Sequence, residues 1–284
     1  MDTVYQYCKK KAAQSGSSFY YSFLFLPTEQ RKAIMALYAF CREVDDIVDE
    51  CTDKGIAAQK LQWWQTEIER VYQGLPEHPI GKAIKASKER FRLNKELFEQ
   101  ILQGMTMDLN YQGYETFEDL KLYCHCVASV PGLLASEIFG YEDPKTLDYA
   151  RNLGLAFQLV NIIRDVGEDA NRGRVYIPEA ELAQFSLSAA DILKKNDSDN
   201  FRALMKFQAT RARDYYQKAL EALPKVDKLK QGSGLIMAKI YFTLLDEIEK
   251  SNFQVLHQNI SLTPLRKLWI AWKTSRKIKK QCAS

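Results

Sequence analysis

Apolar side chains recur every three or four residues along most of this chain, the period of a helix with one face turned to a core. The pattern predicts helices from Thr28 through Asp49, through the Trp63/Trp64 segment, over 81–91 and over 94–110. It predicts further helices from Thr116 to about Phe139, from Asp143-Pro144 to near Gly173, over 201–222 and over 235–250. Turn-forming residues separate them: Asp53-Lys54-Gly55, the stretch from Gly74 to Pro79, Pro178, the polar run from Lys194 to Asn200, and Gln231-Gly232-Ser233-Gly234. Ser15-Gly16-Ser17-Ser18-Phe19 reads as a turn or helix entry. Pro131 should bend the helix that contains it, because proline removes a backbone donor and its ring collides with the preceding turn. The alternating runs that strands require are few, so the reading is one all-α domain over residues 1–284.

Two segments break the amphipathic rule by carrying acids among apolar neighbours. In LYAFCREVDDIVDE, Tyr38, Arg42, Asp45 and Asp49 share one face, hemmed by Leu37, Phe40, Cys41, Val44 and Val48. In FQLVNIIRDVGED, Gln158, Asn161, Asp165 and Asp169 do the same among Leu155, Leu159, Ile162, Ile163 and Val166. Like charges four residues apart cost a few tenths of a kcal/mol even in water, and more in apolar surroundings. A positive partner is therefore expected, and Mg2+ suits oxygen ligands that substrate phosphates complete. One acidic pair alone would read as a solvated face, as Glu115/Asp119 does; two columns point to metal and to a diphosphate ligand. Arg42 and Arg164 could donate to phosphate oxygens or pair with the neighbouring acids. Asp46 points about 100° from Asp45 and supports the column from outside it.

Composition narrows the classes. The chain has 284 residues, 46% of them hydrophobic, with only 13 Gly and 8 Pro, enough to bury a substantial helical core. A net charge of +4 without a clustered excess argues against a nucleic-acid partner. Six cysteines without CxxC spacing and a polar opening, MDTVYQYCKKK, fit a reducing cytosol. Cys124-His125-Cys126 reads as packing thiols, since neighbours on a helix diverge and no second ligand pair follows. No segment reaches about 18 uninterrupted apolar residues, so no membrane span is expected. The C-terminus mixes Trp269 and Trp272 with Arg266, Lys267, Lys273, Arg276, Lys277, Lys279 and Lys280, which suits either peripheral contact with the inner membrane face or a solvated basic tail. His78, His125 and His257 fall outside both columns and suggest no Ser/His/Asp arrangement.

Opposed metal columns across an apolar cavity would remove diphosphate and leave a carbocation. Aromatic faces stabilise such a cation by up to about 2 kcal/mol each when desolvated; candidate walls are Phe19, Tyr20, Phe23, Tyr38, Phe157, Tyr241 and Phe242.

These segments resemble the squalene and phytoene synthase family of head-to-head trans-isoprenyl diphosphate synthases. The resemblance rests on SSFYYSFLFLP at 17–27, ALYAFCREVDDIVDE at 36–50 and QLVNIIRDVGEDANRGRVYIP at 158–178, with further matches in GLIMAKIYFTLLDEIE and VLHQNISLTPLRKLWIAWK. Within the family the chain is most similar to the bacterial presqualene diphosphate synthases of hopanoid biosynthesis. The resemblance implies an isoprenoid-synthase helical bundle around a central cavity that binds two farnesyl diphosphates and two or three Mg2+ ions, without NADPH. It implies that Asp45, Asp49, Asn161, Asp165 and Asp169 hold the metals, and that Tyr38 and Tyr241 join them in catalysis. Ser18 and Phe19 would belong to a closing flap. Arg42, Tyr123, Ala128, Gly132, Gln158, Arg164 and Tyr176 would contact diphosphate, prenyl chain or cation. The family often carries Val-Ala-Gly, then a small residue and Gly, where this chain has Val127-Ala128-Ser129-Val130-Pro131-Gly132, a departure that bears on chain length. Alternatives are a phytoene, dehydrosqualene or squalene synthase, a terpene cyclase that closes one substrate on itself, and a non-catalytic helical partner in a lipid-synthesis complex.

Overall fold

The long periodic segments are all helical in the computed structural model, which describes residues 2–14, 22–23 and 26–283. In chain order the helices are α1 (Asp2–Gln14), α2 (Thr28–Glu50), α3 (Lys54–Gln73), α4 (Pro79–Lys88), α5 (Lys95–Leu109), α6 (Phe117–Cys124) and α7 (Val130–Phe139). They continue with α8 (Thr146–Asn171), α9 (Glu179–Gln184), α10 (Ala189–Leu193), α11 (Asp199–Ala222), α12 (Gly232–Lys250) and α13 (Pro264–Ala283). Among the described residues there is no strand. The expected turn at Ser15–Phe19 lies outside the described residues, as do the expected site residues Ser18 and Phe19 and the candidate wall Tyr20.

Local chemistry sets the boundaries. The Asp53 carboxylate accepts from the Gly55 and Ile56 N–H groups at 2.7 and 3.0 Å, capping α3, and Gly74 ends that helix at φ +86°. Thr116 and Asp119 form a reciprocal capping box at the start of α6, which explains an acid that looked like part of a chance pair. The bend expected at Pro131 takes a particular form: His125–Ser129 is a π-helical turn, closed by the Val130 N–H bonding to the His125 carbonyl, and α7 then starts with proline in its first turn. The wider turn absorbs the proline ring while the backbone runs on. Cys124 and Cys126 in this region are buried free thiols.

No stretch of Phe117–Phe139 is uninterruptedly apolar, since Glu118, Asp119, Lys121 and Glu137 fall in it, but an 18-residue window of the run is apolar enough to cross a membrane by length and composition, and 56% of that window is buried inside the protein. That burial marks it as a core helix of this fold.

Two hydrophobic clusters form the interior. One gathers α2 to α5 with α7 around Phe40, Trp64, Phe98 and Ile101; the other gathers α6, α8, α11 and α12 around Tyr149, Leu159, Phe201 and Leu245. Val127 and Leu97 pack against both. Helix α8 is buried on most of its circumference, with α11 along one side and the π turn and α7 along another. Close backbone approach makes this possible: a Cβ on Gly154 would sit 2.6 Å from the Ala128 carbonyl oxygen, and one on Gly167 would sit 2.3 Å from that of Leu256. Between the two clusters lies a cavity of about 730 Å³ bounded by α2, α5, α7, α8 and α12.

Candidate active site

Both acidic columns line this cavity. From α2 come Tyr38, Arg42, Asp45 and Asp49; from α8 come Gln158, Asn161, Arg164, Asp165 and Asp169. The helical registers inferred from spacing therefore face each other across one void. Tyr123, Ala128, Gly132, Tyr176 and Tyr241 line it too, as do Phe23 and Phe157. Phe242 does not: it is buried on the other side of α12, stacked on Tyr216 with ring centroids 3.8 Å apart, so it is no cavity wall. Asp46 turns out of the column and pairs with Arg42 and with Lys11 of α1.

The mouth is crowded with charge. Arg42 donates to Asp45 at 2.7 Å and to Asp46 at 2.5 Å, and Arg164 makes a two-pronged pair with Asp165 at 2.7 and 2.5 Å. Of the two roles open to these arginines, the structure shows the ion pairs. Asp49 is reached from beyond the end of α8 by Arg172 at 2.9 Å and by Arg174 at 3.2 Å. Arg174 also contacts Asp108 of α5, at 3.2 Å, and Asp108 accepts a 2.5 Å hydrogen bond from the Tyr176 hydroxyl. Sequence reading missed Asp108, Arg172 and Arg174, and also Lys267 of α13, which lines the same cavity. They lie outside both helical registers; the only available signal was the pair of arginines three and five residues after Asp169.

These cations compensate the acids incompletely. Burial pushes Asp169 up to about 7, with Asp165 adding to the rise and Arg172 and Arg174 pulling down without cancelling it; Asp169 has no ion pair among the described residues. Burial likewise pushes Asp45 up to about 6, Arg42 pulling down while Asp49 and Asp46 push up. Its side chain is 37% exposed, but that opening faces the confined mouth. Desolvation also raises Asp108. The Asn161 amide oxygen is buried without a hydrogen-bond partner, its nitrogen being used toward Gln158 at 3.2 Å.

A hard divalent cation fits this donor set. Underpaired carboxylates and an orphaned amide oxygen are the ligand types it takes. Among the described residues no three His, Cys, Asp or Glu side chains gather closely enough to hold an ion by themselves. A cation here would draw its remaining ligands from water and from a bound phosphate, a mode natural to Mg2+.

Beyond the mouth the lining turns apolar, with Ile34, Leu37, Ile101, Met105, Leu153 and Phe157. Tyr123 stacks on Tyr176 with centroids 5.5 Å apart, and Phe157 lies 4.5 Å from Tyr241, so aromatic faces border the passage from charge to hydrocarbon. The cavity runs beside α8 from Asp169 back to Tyr149, about 30 Å at the rise of an α-helix. Tyr149 is buried there, its hydroxyl without a partner.

A helical fold with a long apolar cavity under opposed columns of carboxylates defines a class, the isoprenoid synthases. Residues 12–266 match the squalene/phytoene synthase family, and the chain belongs to that family, whose members condense prenyl diphosphates head to head. The chain is 35% identical to the 15-cis-phytoene synthase of Synechococcus elongatus, over 94% of this chain and 91% of the relative. It is 34% identical to chloroplastic phytoene synthase 2 of Solanum lycopersicum, over 94% and 88%. Among solved structures it resembles a ligand-bound dehydrosqualene synthase, with TM-score 0.89 and 25% identity over 98% of both chains. It also resembles the squalene synthase HpnC of Alicyclobacillus acidocaldarius, with TM-score 0.79 and 25% identity over 88% and 95%. These curated relatives favour the phytoene synthase alternative over the presqualene diphosphate reading, which local motifs had suggested.

Proposed function

We propose that the protein joins two molecules of geranylgeranyl diphosphate, as a phytoene synthase does, using the residues at the cavity mouth to draw off diphosphate. The observation that carries this reading is the facing of two acid columns, with Asp169 left without an ion pair, at the mouth of one apolar cavity that runs about 30 Å along α8. Asp45, Asp49, Asn161, Asp165 and Asp169 would hold Mg2+, which supplies charge neutralisation to the phosphates when bound.

Arg172, Arg174 and Lys267 offer further positive charge at the mouth. For Arg172 and Arg174, exchanging Asp49 for phosphate oxygens would trade one charge-assisted hydrogen bond for another, so their recruitment costs little. With the diphosphate held, the carbon–oxygen bond to C1 breaks, and the electron pair leaves with the phosphate. The cation that remains lies among Tyr38, Tyr123, Phe157, Tyr176 and Tyr241, whose ring faces stabilise it and whose close fit keeps water away. Attack by the second molecule's double bond and loss of one proton give a cyclopropyl diphosphate.

A second reading, coupling of two C15 chains, is supported by the likeness to dehydrosqualene and squalene synthase structures. Purified protein is to be given C15 and C20 diphosphates with Mg2+, and released diphosphate and products measured by mass spectrometry. The C20 reading expects a C40 product with two substrates consumed, unchanged by NADPH. A C30 product from C15 alone would establish the second reading. One substrate per product would indicate a cyclase, and prenyl alcohol with diphosphate alone would overturn coupling.

A further inference from the structure

The basic C-terminal segment is an ordered helix that sequence periodicity did not reveal. Ile270, Ala271 and Ile278 of α13 are buried, and the helix packs against α12. Its opposite face is apolar and open: Leu265 is 80% exposed, Trp269 55%, Trp272 48% and Leu268 42%. Their spacing of three and four residues puts all four on one stripe. Monomeric proteins seldom leave two tryptophans and two leucines together in water.

The charges around the stripe say what covers it. Helix α13 carries seven basic residues and no acidic one; without it the chain has 33 basic against 36 acidic residues. The positive character of the protein is thus concentrated on this helix. Lys273 lies over the Trp269 ring at 4.7 Å and Arg276 over Trp272 at 5.0 Å, so cationic heads stand beside the exposed rings. Tryptophan at a hydrocarbon boundary with lysine and arginine at headgroup level is the chemistry of an interfacial helix on an anionic bilayer. The position fits as well: Lys267, in the first turns of α13, lines the cavity together with Asn259, Ser261 and Leu262 of the segment before it.

We propose that α13 docks the protein onto an anionic lipid surface through Leu265, Leu268, Trp269 and Trp272, setting the cavity rim at the bilayer where long-chain substrates and products reside. The docking surface stands on the exposed face and its charge, and is independent of which prenyl chain the cavity takes.

Flotation of the full chain with vesicles tests this. With vesicles containing one-third phosphatidylserine the protein is expected to float, and with pure phosphatidylcholine to bind at least tenfold more weakly. The double variant Trp269→Ala/Trp272→Ala should lose at least tenfold in binding, and Lys277→Gln/Lys279→Gln should lose several-fold on anionic vesicles only. Both variants should keep the parent's circular dichroism and its turnover of detergent-dispersed substrate, which separates docking from folding and catalysis. Equal flotation of parent and tryptophan variant would overturn the proposal. So would a parent that fails to float, or a lipid-free dimer that the tryptophan variant converts to monomer, since the face would then cover a second copy.

Discussion

Asp227 and Asp169 are both aspartates withdrawn from bulk water, and their surroundings treat them in opposite ways. Asp227, fully buried in the turn before α12, accepts from the Glu142 N–H at 2.7 Å, the Asp143 N–H at 3.0 Å and the Thr146 hydroxyl at 2.7 Å. Burial alone would push this carboxyl up, but those three donors outweigh it and hold Asp227 below the usual range. Asp169 meets no comparable set of donors and is pushed up to about 7. Glu67 resembles Asp227: it is wholly buried and accepts from the Glu77 and His78 N–H groups at 2.9 and 2.8 Å. Saturated carboxylates fasten loops, whereas the underpaired ones stand at the cavity mouth. The difference teaches that burial alone does not set an aspartate's charge: donors decide it, and Asp169 at the cavity mouth is the one left without them.

Substitution at each place can break this contrast. Asp169→Asn, Asp45→Asn and Asp165→Asn should each lower turnover at least about 100-fold, with circular dichroism unchanged. Asp227→Ala should leave turnover of the folded protein near parental while costing about 3 kcal/mol of stability, read from urea unfolding, because three donors are stranded. Parental turnover in all three site variants would sink the assignment of the columns to catalysis.

Stability gives a second reading with the sign reversed. Asp169 binds its proton more tightly in the fold than in the unfolded chain, so unfolding releases protons between the ordinary aspartate range and about pH 7. Stability of the metal-free protein should therefore fall as pH rises from about 4 to about 7. Asp169→Asn should flatten that slope and make the metal-free protein more stable by about 2 kcal/mol at pH 8, after allowance for partial exposure. Millimolar Mg2+ should raise the melting temperature of the parent at pH 8 and leave that of Asp169→Asn almost unmoved. A parental slope in the variant would show that Asp169 is not the underpaired group.

The smallest effect belongs to an exposed, well-partnered acid. Asp119 accepts from the Thr116 hydroxyl at 2.7 Å and N–H at 2.9 Å, which hold it below the usual range. Asp119→Ala should lower the melting temperature only slightly, through loss of the α6 cap, and leave turnover unchanged.

Much of the fold was legible because helix periodicity and its punctuation are local. Thr28 to Glu50 and Thr146 to Asn171 run as spacing and turn residues indicate. Helix α1 and the short α9 and α10 were not foreseen, since α1 opens on polar residues and the others are little more than a turn each. Helix α13 escaped because its apolar residues are split between a face buried on α12 and an exposed stripe, which blurs the period. The π turn answers to Pro131, and its Ala128–Ser129 backbone lies against Gly154 of α8, a contact that no local pattern shows.

In the site, Asp45, Asp49, Asn161, Asp165 and Asp169 could be paired into columns because side chains three or four apart on a helix share a face whatever surrounds them. The residues from other segments that bear on their charge state could not be paired in advance: Asp108 comes from α5, and Arg172 and Arg174 from the chain beyond α8. The sequence by itself determined the helices that carry the site from α2 to α8, the two oxygen-bearing faces and the family. Only the tertiary structure decided that the faces oppose each other, that arginines satisfy Asp49 and Asp165 while Asp169 lacks an ion pair, and that Phe242 belongs to the core. The physical reason is range: helical register acts over a few residues, while desolvation and ion pairing depend on which distant segments close the cavity.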